Sequence, residues 1–235
     1  MENEPSPRSP DGDADRLAGL LEARYSCRGF RPEPVPRDTI ERVLAVAQRT
    51  ASWCNAQPWQ VTIASGEATA KFRHALHVHA AAGDPPSPDF AFPGRYTGVH
   101  RQRRRECGFQ LYDAVGVARG DREAGMRQRL ENFRLFGAPH VAIVTTEADL
   151  GVYGAVDCGA YVSNFMLAAC SLGIASIAQA ALASYPGFIR NWFELPPERL
   201  VVCGISFGFA DQSHPANGFR TGRAPLNEVV RWVGD

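Results

Sequence analysis

Residues 199–214 read RLVVCGISFGFADQSH, and the fold turns on how they are read. Within them, Gly204-Ile205-Ser206-Phe207-Gly208 spells G-x-S-x-G, the pattern of a serine hydrolase nucleophile elbow, and Asp211 and His214 follow in hydrolase order. An elbow needs a strand, a sharp turn with Ser at its tip, and then a helix. Here strand-like residues run on through Ser206 to Phe209, with Ser206 alternating between Ile205 and Phe207. The ADQSHPANG that follows is turn chemistry, not helix. Asp211 and His214 also come too soon, because hydrolases of that class bring acid and base on later, separate loops. The expectation is a core strand whose glycines let another layer approach closely. A serine hydrolase using Ser206 stays open as the reading from a different class.

Outward from that strand, YPGFIRNWFE reads as a short helix and IASIAQ as a short strand. VDCGAYVSNFMLAACSLG is apolar almost all round, so a buried helix is expected. HVAIVTTE and WQVTIASG read as strands. EATAKFRHALHVHAAA reads as a helix, and Arg101 to Phe136 is helical in character but broken near Gly116 and Gly120. Near the start, Ile40, Val43, Leu44 and Ala47 mark one face of an amphipathic helix, and Leu17, Leu20 and Leu21 mark another. Opening helices and a long helical middle argue against a regular β-α-β alternation. The expected class is α+β, a sheet between helical layers.

Bulk numbers narrow the function. The 235 residues hold 25 Lys+Arg and 25 Asp+Glu, so no net field favours nucleic acid or a membrane surface. No apolar run approaches the ~20 residues of a transmembrane helix. The opening MENEPSPRSPDGDADR is polar and Pro-rich, which reads as a disordered tail over 1–15 and not as a signal or transit peptide. Residues 16–235 read as a single domain with a C-terminal arm over 215–235. Six scattered cysteines without C-x-x-C suit reduced thiols in the cytoplasm. HALHVH (His74, His77, His79) lacks a nearby carboxylate or Cys, so solvated helix histidines and no metal are expected. HRQRRRE is one basic run in a neutral chain, read as a solvated helix face.

Three separated segments carry more. RYSCRGF offers Arg24, Ser26 and Arg28 at a helix end; SWCNAQPWQV offers Ser52, Asn55 and Gln57 in a turn; NGFRTGRAPL offers Asn217, Arg220, Thr221 and Arg223 after the last strand. Guanidinium and hydroxyl donors that converge suit a phosphate monoester. With LAACSLGIASIAQAAL and the closing VCGISFGFAD…NGFRTGRAPLNEVVRW, the order and spacing of these segments resemble the FMN-dependent nitroreductase family from about Leu17 to Trp232. SWCNAQPW and AQAALASYP look most similar to its nitrobenzoate reductase-like branch.

The resemblance implies a three-layer fold, with a central, mostly antiparallel sheet flanked by helices, in an intertwined homodimer. It implies FMN, with Arg24, Ser26 and Arg223 at the phosphate and ribityl chain, Tyr25 also at the cofactor, Arg220 beside them, and Arg28 near flavin N1. Ser52, Trp53 and Asn55 would reach the flavin held mainly by the other subunit. Gln179, Ala180 and Ala181 match the loop whose backbone N–H faces flavin N5. The implied activity is ping-pong transfer of electrons from NAD(P)H to a small electron-poor substrate such as a nitroaromatic. Enones, quinones or halogenated aromatics are the alternative acceptors on the same fold. Because chemistry occurs at the flavin, no catalytic side chain is required. Phe109, Tyr112, Phe133 and Phe136 are the expected substrate walls, as rings able to stack on an aromatic.

Overall fold

The computed structural model describes residues 10–234. Helices α1 (Pro10–Ala23) and α2 (Arg37–Ala47) open the chain. Strand β1 (Gln60–Ser65) leads into α3 (Glu67–Ala81), α4 (Gly98–Ala114) and α5 (Arg122–Leu130). Strand β2 (His140–Glu147) precedes the long α6 (Gly151–Ser171), and β3 (Ala175–Gln179), α7 (Pro186–Phe193) and β4 (Arg199–Gly208) complete the core. The strands form one sheet in the order β1-β2-β4-β3, and each neighbouring pair is antiparallel.

The sheet is buried on both faces, which explains why its central strands read as continuous apolar runs. Ala142, Val144, Cys203, Ile205 and Phe207 pack with α2 and α6 through Ile40, Val43, Cys158, Tyr161 and Phe165. The alternate residues Val141, Ile143 and Val201 pack with α3 and α7 through Phe72, Leu76 and Ile189. Two helical layers therefore sandwich the sheet. At the head of β2, His140 is buried; its Nε2 accepts from Val35 N at 2.8 Å and its Nδ1 lies 2.9 Å from Ser65 Oγ.

Two expectations are corrected. The first helix starts at Pro10, inside the stretch assigned to the tail; Asp11 and Asp13 in its first turn complement the helix dipole. Residues 1–9 lie outside the described residues. Helix α6 is not buried all round: Gly154, Cys158, Tyr161, Val162 and Phe165 face the core, but Val152 and Val156 are 68% and 59% exposed. Its apolar composition serves two faces, and only one is covered by this chain.

Candidate functional site

The G-x-S-x-G stretch lies wholly within β4. Gly204, Ser206 and Gly208 alternate with the residues that pack on α6, so they share the opposite face. A Cβ on Gly204 would come within 2.3 Å of Leu182 Cδ2, and one on Gly208 within 2.7 Å of Pro139 Cδ. Between them, the fully buried Ser206 hydroxyl donates to Gln179 Oε1 at 2.5 Å. The Gln179 amide donates onward to Asn132 O at 2.9 Å. The three positions thus seat two loops: the turn Ala180–Ser184, which carries Leu182, and the loop 132–139. Among the described residues no base reaches Ser206. The Asp211 carboxylate accepts from Ser213 N and Oγ, and His214 Nδ1 accepts from Ala216 N. This overturns the hydrolase reading. The glycines are required by close approach, and the serine by a buried amide that needs a partner.

Beside this platform the chain leaves α1 and crosses the ends of β3 and β4. Ser26 bridges Ser176, Cys27 N donates to Ser176 O at 3.1 Å, and Arg31 N donates to Phe209 O at 2.9 Å. In an extended segment alternate side chains share a face. Cys27 is buried, while Arg24, Ser26 and Arg28 line a cavity of about 580 Å³. The arm closes that cavity with Arg220, Thr221 and Arg223. Asn217 pins the arm in place: its Oδ1 accepts from Arg28 N at 2.7 Å, and its Nδ2 donates to Gly29 O and Asp211 O, both at 2.8 Å. Gly29 is obligatory here, since a Cβ would lie 2.2 Å from His214 Cγ.

The donor set suits a phosphate monoester. Arg24, Arg28, Arg220 and Arg223 converge on the cavity, and among the described residues none forms an ion pair. Arg220 and Arg223 donate to backbone carbonyls and, from Arg223, to Thr221 Oγ1 at 3.1 Å. Glu22 is the one carboxylate among the lining residues. Arg220 lies 3.7 Å over the Tyr25 ring, and the buried Tyr25 hydroxyl makes no geometrically sound hydrogen bond among the described residues. Burial lowers the Arg28 pKa, and the nearby Cys107 and Cys27 thiols oppose that shift. These residues fit an anionic, flat cofactor whose phosphate meets the arginines.

Arg28 also borders a second cavity, about 520 Å³, shared with Val117, Phe136 and His214. Phe136 sits in a left-handed turn: Leu135, Phe136 and Gly137 have φ of 54°, 51° and 81°. Two of these are non-glycine residues in a costly region, held by the buried Leu135 and by Phe136 N donating to Glu131 O. The other such cluster is the turn after Ser52, where Cys54, Asn55 and Gln57 have φ of 51°, 55° and 49°. There Ser52 Oγ accepts from Gln57 N, and Trp53 N donates to Asp157 on α6.

The structure therefore gathers Arg24, Tyr25, Ser26, Arg28, Arg220 and Arg223 around one cavity. Ser52, Trp53 and Asn55 stand apart from it, at the start of α6, with Trp53 edge-on to Tyr153 at 4.4 Å. Gln179 turns its side chain into the core, leaving Ala180 and Ala181 on the turn beyond. The four expected substrate walls are not one wall. Phe136 shares a cavity with Arg28; Phe109 and Tyr112 line a different one between α4 and α5; Phe133 packs at 5.5 Å on Tyr185. The cause is local: Phe109 and Tyr112 precede the break between α4 and α5, and the left-handed turn at 135–137 separates Phe136 from Phe133. Cys107 and Phe219 join the main cavity without a signal in the sequence. Asn217 carried one, as a turn residue in PANG, but its role as the hub between arm and Arg28 needs the third dimension.

With that geometry in place, comparison with known proteins defines the class. The family model described as "Nitroreductase family" matches residues 21–209, and the chain belongs to that family. It is 36% identical over 228 residues to nitroreductase NfnB of Mycolicibacterium smegmatis, covering 96% of this chain and 97% of that protein. It is 27% identical to a 4-nitrobenzoate reductase of Pseudomonas putida, covering 94% and 96%. The crystal structure of the FMN-dependent NfnB from Mycobacterium smegmatis in complex with NADPH superposes with a TM-score of 0.89 at 35% identity, over 94% of this chain and 100% of that one.

Proposed function

We propose that this chain is an FMN-dependent oxidoreductase that takes electrons from NAD(P)H and passes them to a small electron-poor acceptor, of which a nitroaromatic is the type. The observation that carries this reading is the cavity whose four guanidiniums lack carboxylate partners among the described residues, in a member of the nitroreductase family. Arg24, Ser26 and Arg223 hold the phosphate by charge-assisted bonds, and Arg220 stacked on Tyr25 closes that end. Arg28 borders both this cavity and the one shared with Phe136, and its guanidinium would supply the positive charge that favours a reduced, anionic flavin. Bound flavin supplies the hydride acceptor; the protein orients and tunes it. The backbone of Ala180 and Ala181 is fixed for that task by the Ser206–Gln179–Asn132 chain.

The reading includes a homodimer. Val46, Trp53, Val152, Tyr153 and Val156 are exposed apolar side chains on α2, the strained turn and the start of α6. Exposed apolar side chains gathered on neighbouring elements suit an interaction site, and a second copy would bring Ser52, Trp53 and Asn55 to the partner's cofactor. No helix among the described residues is long and apolar enough to cross a membrane, and the cytoplasm is the proposed location. The test is direct: purified protein should carry flavin absorbance, NADPH or NADH should bleach it without oxygen, and a nitroaromatic should restore it. A colourless protein that takes up no added FMN would refute the proposal.

A further inference from the structure

We propose that Asp89 is a positioning residue for the turn Ala180–Ser184, acting through a proline-rich strap that clamps the far end of that turn. This rests on the flavin reading above, in which Ala180 and Ala181 face the cofactor, and deepens it. The strap is written in the sequence. Residues 84–89 read DPPSPD, with Pro85, Pro86 and Pro88 around Ser87. Proline fixes φ and carries no N–H, so the stretch is stiff and Ser87 holds the one backbone donor between Pro85 and Pro88. That donor is spent on the turn: Ser87 N donates to Ser184 O at 3.0 Å. Beside it, the Tyr185 hydroxyl donates to Asp84 O at 3.4 Å. His79, near the end of α3, sits edge-on to Tyr185 and stacked on Phe188, both at 4.8 Å, so the strap enters against α7.

Asp89 locks the other end of the strap. Its Oδ2 accepts from Arg190 Nη1 on α7 at 2.6 Å and from Val201 N on β4 at 2.8 Å. Arg190 Nη1 also donates to Arg199 O at 3.0 Å, which ties the pair to β4 a second time. The Asp89 and Arg190 side chains are 11% and 20% exposed, whereas every other ion pair among the described residues leaves one partner at least 40% exposed. A buried pair adds little net stability and serves best to fix one arrangement. Here that arrangement is the turn. Gln179, just before it, bonds Ser206 and Asn132; Leu182, in its middle, seats on Gly204; Ser184, its last residue, receives the strap. Without Asp89 the third hold rests on the exposed residues 84–87 alone. No residue of the strap lines the arginine cavity, so it positions the turn without taking part in phosphate binding.

The test compares FMN-loaded wild type, Asp89→Ala and Ser87→Pro by amide hydrogen exchange, visible circular dichroism of the flavin and stopped-flow reduction by NAD(P)H. Ser87→Pro lengthens the proline run and removes only the N–H given to Ser184, so it serves even where Asp89→Ala fails to fold. Exchange over residues 180–185 should rise in both variants, with residues 217–225 unchanged and the flavin circular dichroism altered. Reduction should slow about ten- to a hundred-fold in Asp89→Ala, the scale of an ~1 Å misplacement, and a few-fold in Ser87→Pro. FMN affinity should stay within about twofold, as for sites that share no partners. A merely structural pair would lower the urea midpoint and leave the flavin signal and reduction rate of the folded protein at wild-type values. That result, or unchanged exchange over 180–185, would overturn the proposal. Wild-type protein that takes up no FMN, yet loosens over 180–185 on Asp89→Ala, would refute the flavin reading and leave the clamp standing.

Discussion

Gly204, Ser206 and Gly208 on β4, and Arg24, Arg28, Arg220 and Arg223 beside them, handle polar groups in opposite ways. On the strand, Ser206 is fully buried and its hydroxyl is spent on Gln179, which is spent on Asn132. Around the cavity, four cations face a shared space with Glu22 as the one lining carboxylate. The strand spells a complete catalytic motif and does none of that chemistry. The arginines are spread across nearly the whole chain and spell nothing, yet they line one cavity. The polar groups of the strand are spent on one another and hold the frame, whereas no guanidinium of the cavity pairs with a carboxylate among the described residues.

That contrast can be broken from either side. Changes on the strand face should cost stability and spare flavin affinity per folded molecule; changes around the cavity should do the reverse. The largest effect is expected from Leu182→Ala, which empties the space against Gly204. Truncation of a fully buried leucine costs about 2–5 kcal/mol, read as a lower urea midpoint at an unchanged m-value. Next, Arg223→Ala should remove a charge-assisted bond of roughly 1.5–3 kcal/mol, weakening FMN binding about ten- to a hundred-fold. The melting temperature of the apo-protein should not move, because Arg223 is exposed and supports no packing.

Smaller effects sharpen the comparison. Ser206→Ala leaves the Gln179 carbonyl buried and unsatisfied, at about 1–3 kcal/mol of stability. NAD(P)H oxidation should stay within a few-fold, and a fluorophosphonate should not label the wild-type serine. Arg28→Met keeps length and loses charge. If the guanidinium favours reduced over oxidised flavin by about 1–2 kcal/mol, the two-electron potential should fall roughly 20–45 mV at ~30 mV per 1.4 kcal/mol. Dye equilibration on the FMN-loaded variant reads it. The smallest effect concerns His140. Burial lowers its pKa, and Nε2 must stay unprotonated to accept from Val35 N. The unfolded chain therefore takes up that proton first as pH falls. Stability from His140 is fully present above the unfolded value of about 6.5 and is lost below it. Urea titrations between pH 7 and 5 should show the decline, and His140→Gln should flatten it.

Much of this was legible before any coordinates. HVAIVTTE and IASIAQ became β2 and β3 because unbroken apolar runs bounded by turns suit strands buried on both faces. RYSCRGF offered Arg24, Ser26 and Arg28 as a set at a helix end, but the face they share comes from the extended crossing beside β3 and β4. Other features depended on contacts that no local pattern encodes. The uncovered face of α6 reads the same as its buried face, since apolar residues report burial without naming the partner. Phe109 and Phe136 look alike as aromatic residues, but the left-handed turn at 135–137 and the break between α4 and α5 send them to different cavities. The arginines of α4 read as a solvated run, and the structure adds only that Arg105 shares the Phe109 ring with Arg119 beyond the end of that helix.

The central claim is that the arginine-lined cavity recognises a phosphate on a flavin, and comparing FMN with riboflavin tests it with the least interference. The two share the ring system and ribityl chain and differ only in the phosphate. Titration of apo-protein followed by flavin fluorescence should give FMN at least a hundred-fold tighter than riboflavin, the worth of two charge-assisted bonds at ~1.5 kcal/mol each. Arg24→Ala with Arg223→Ala should bring the two ligands close together. Equal affinity of the wild-type protein for FMN and riboflavin would contradict the account.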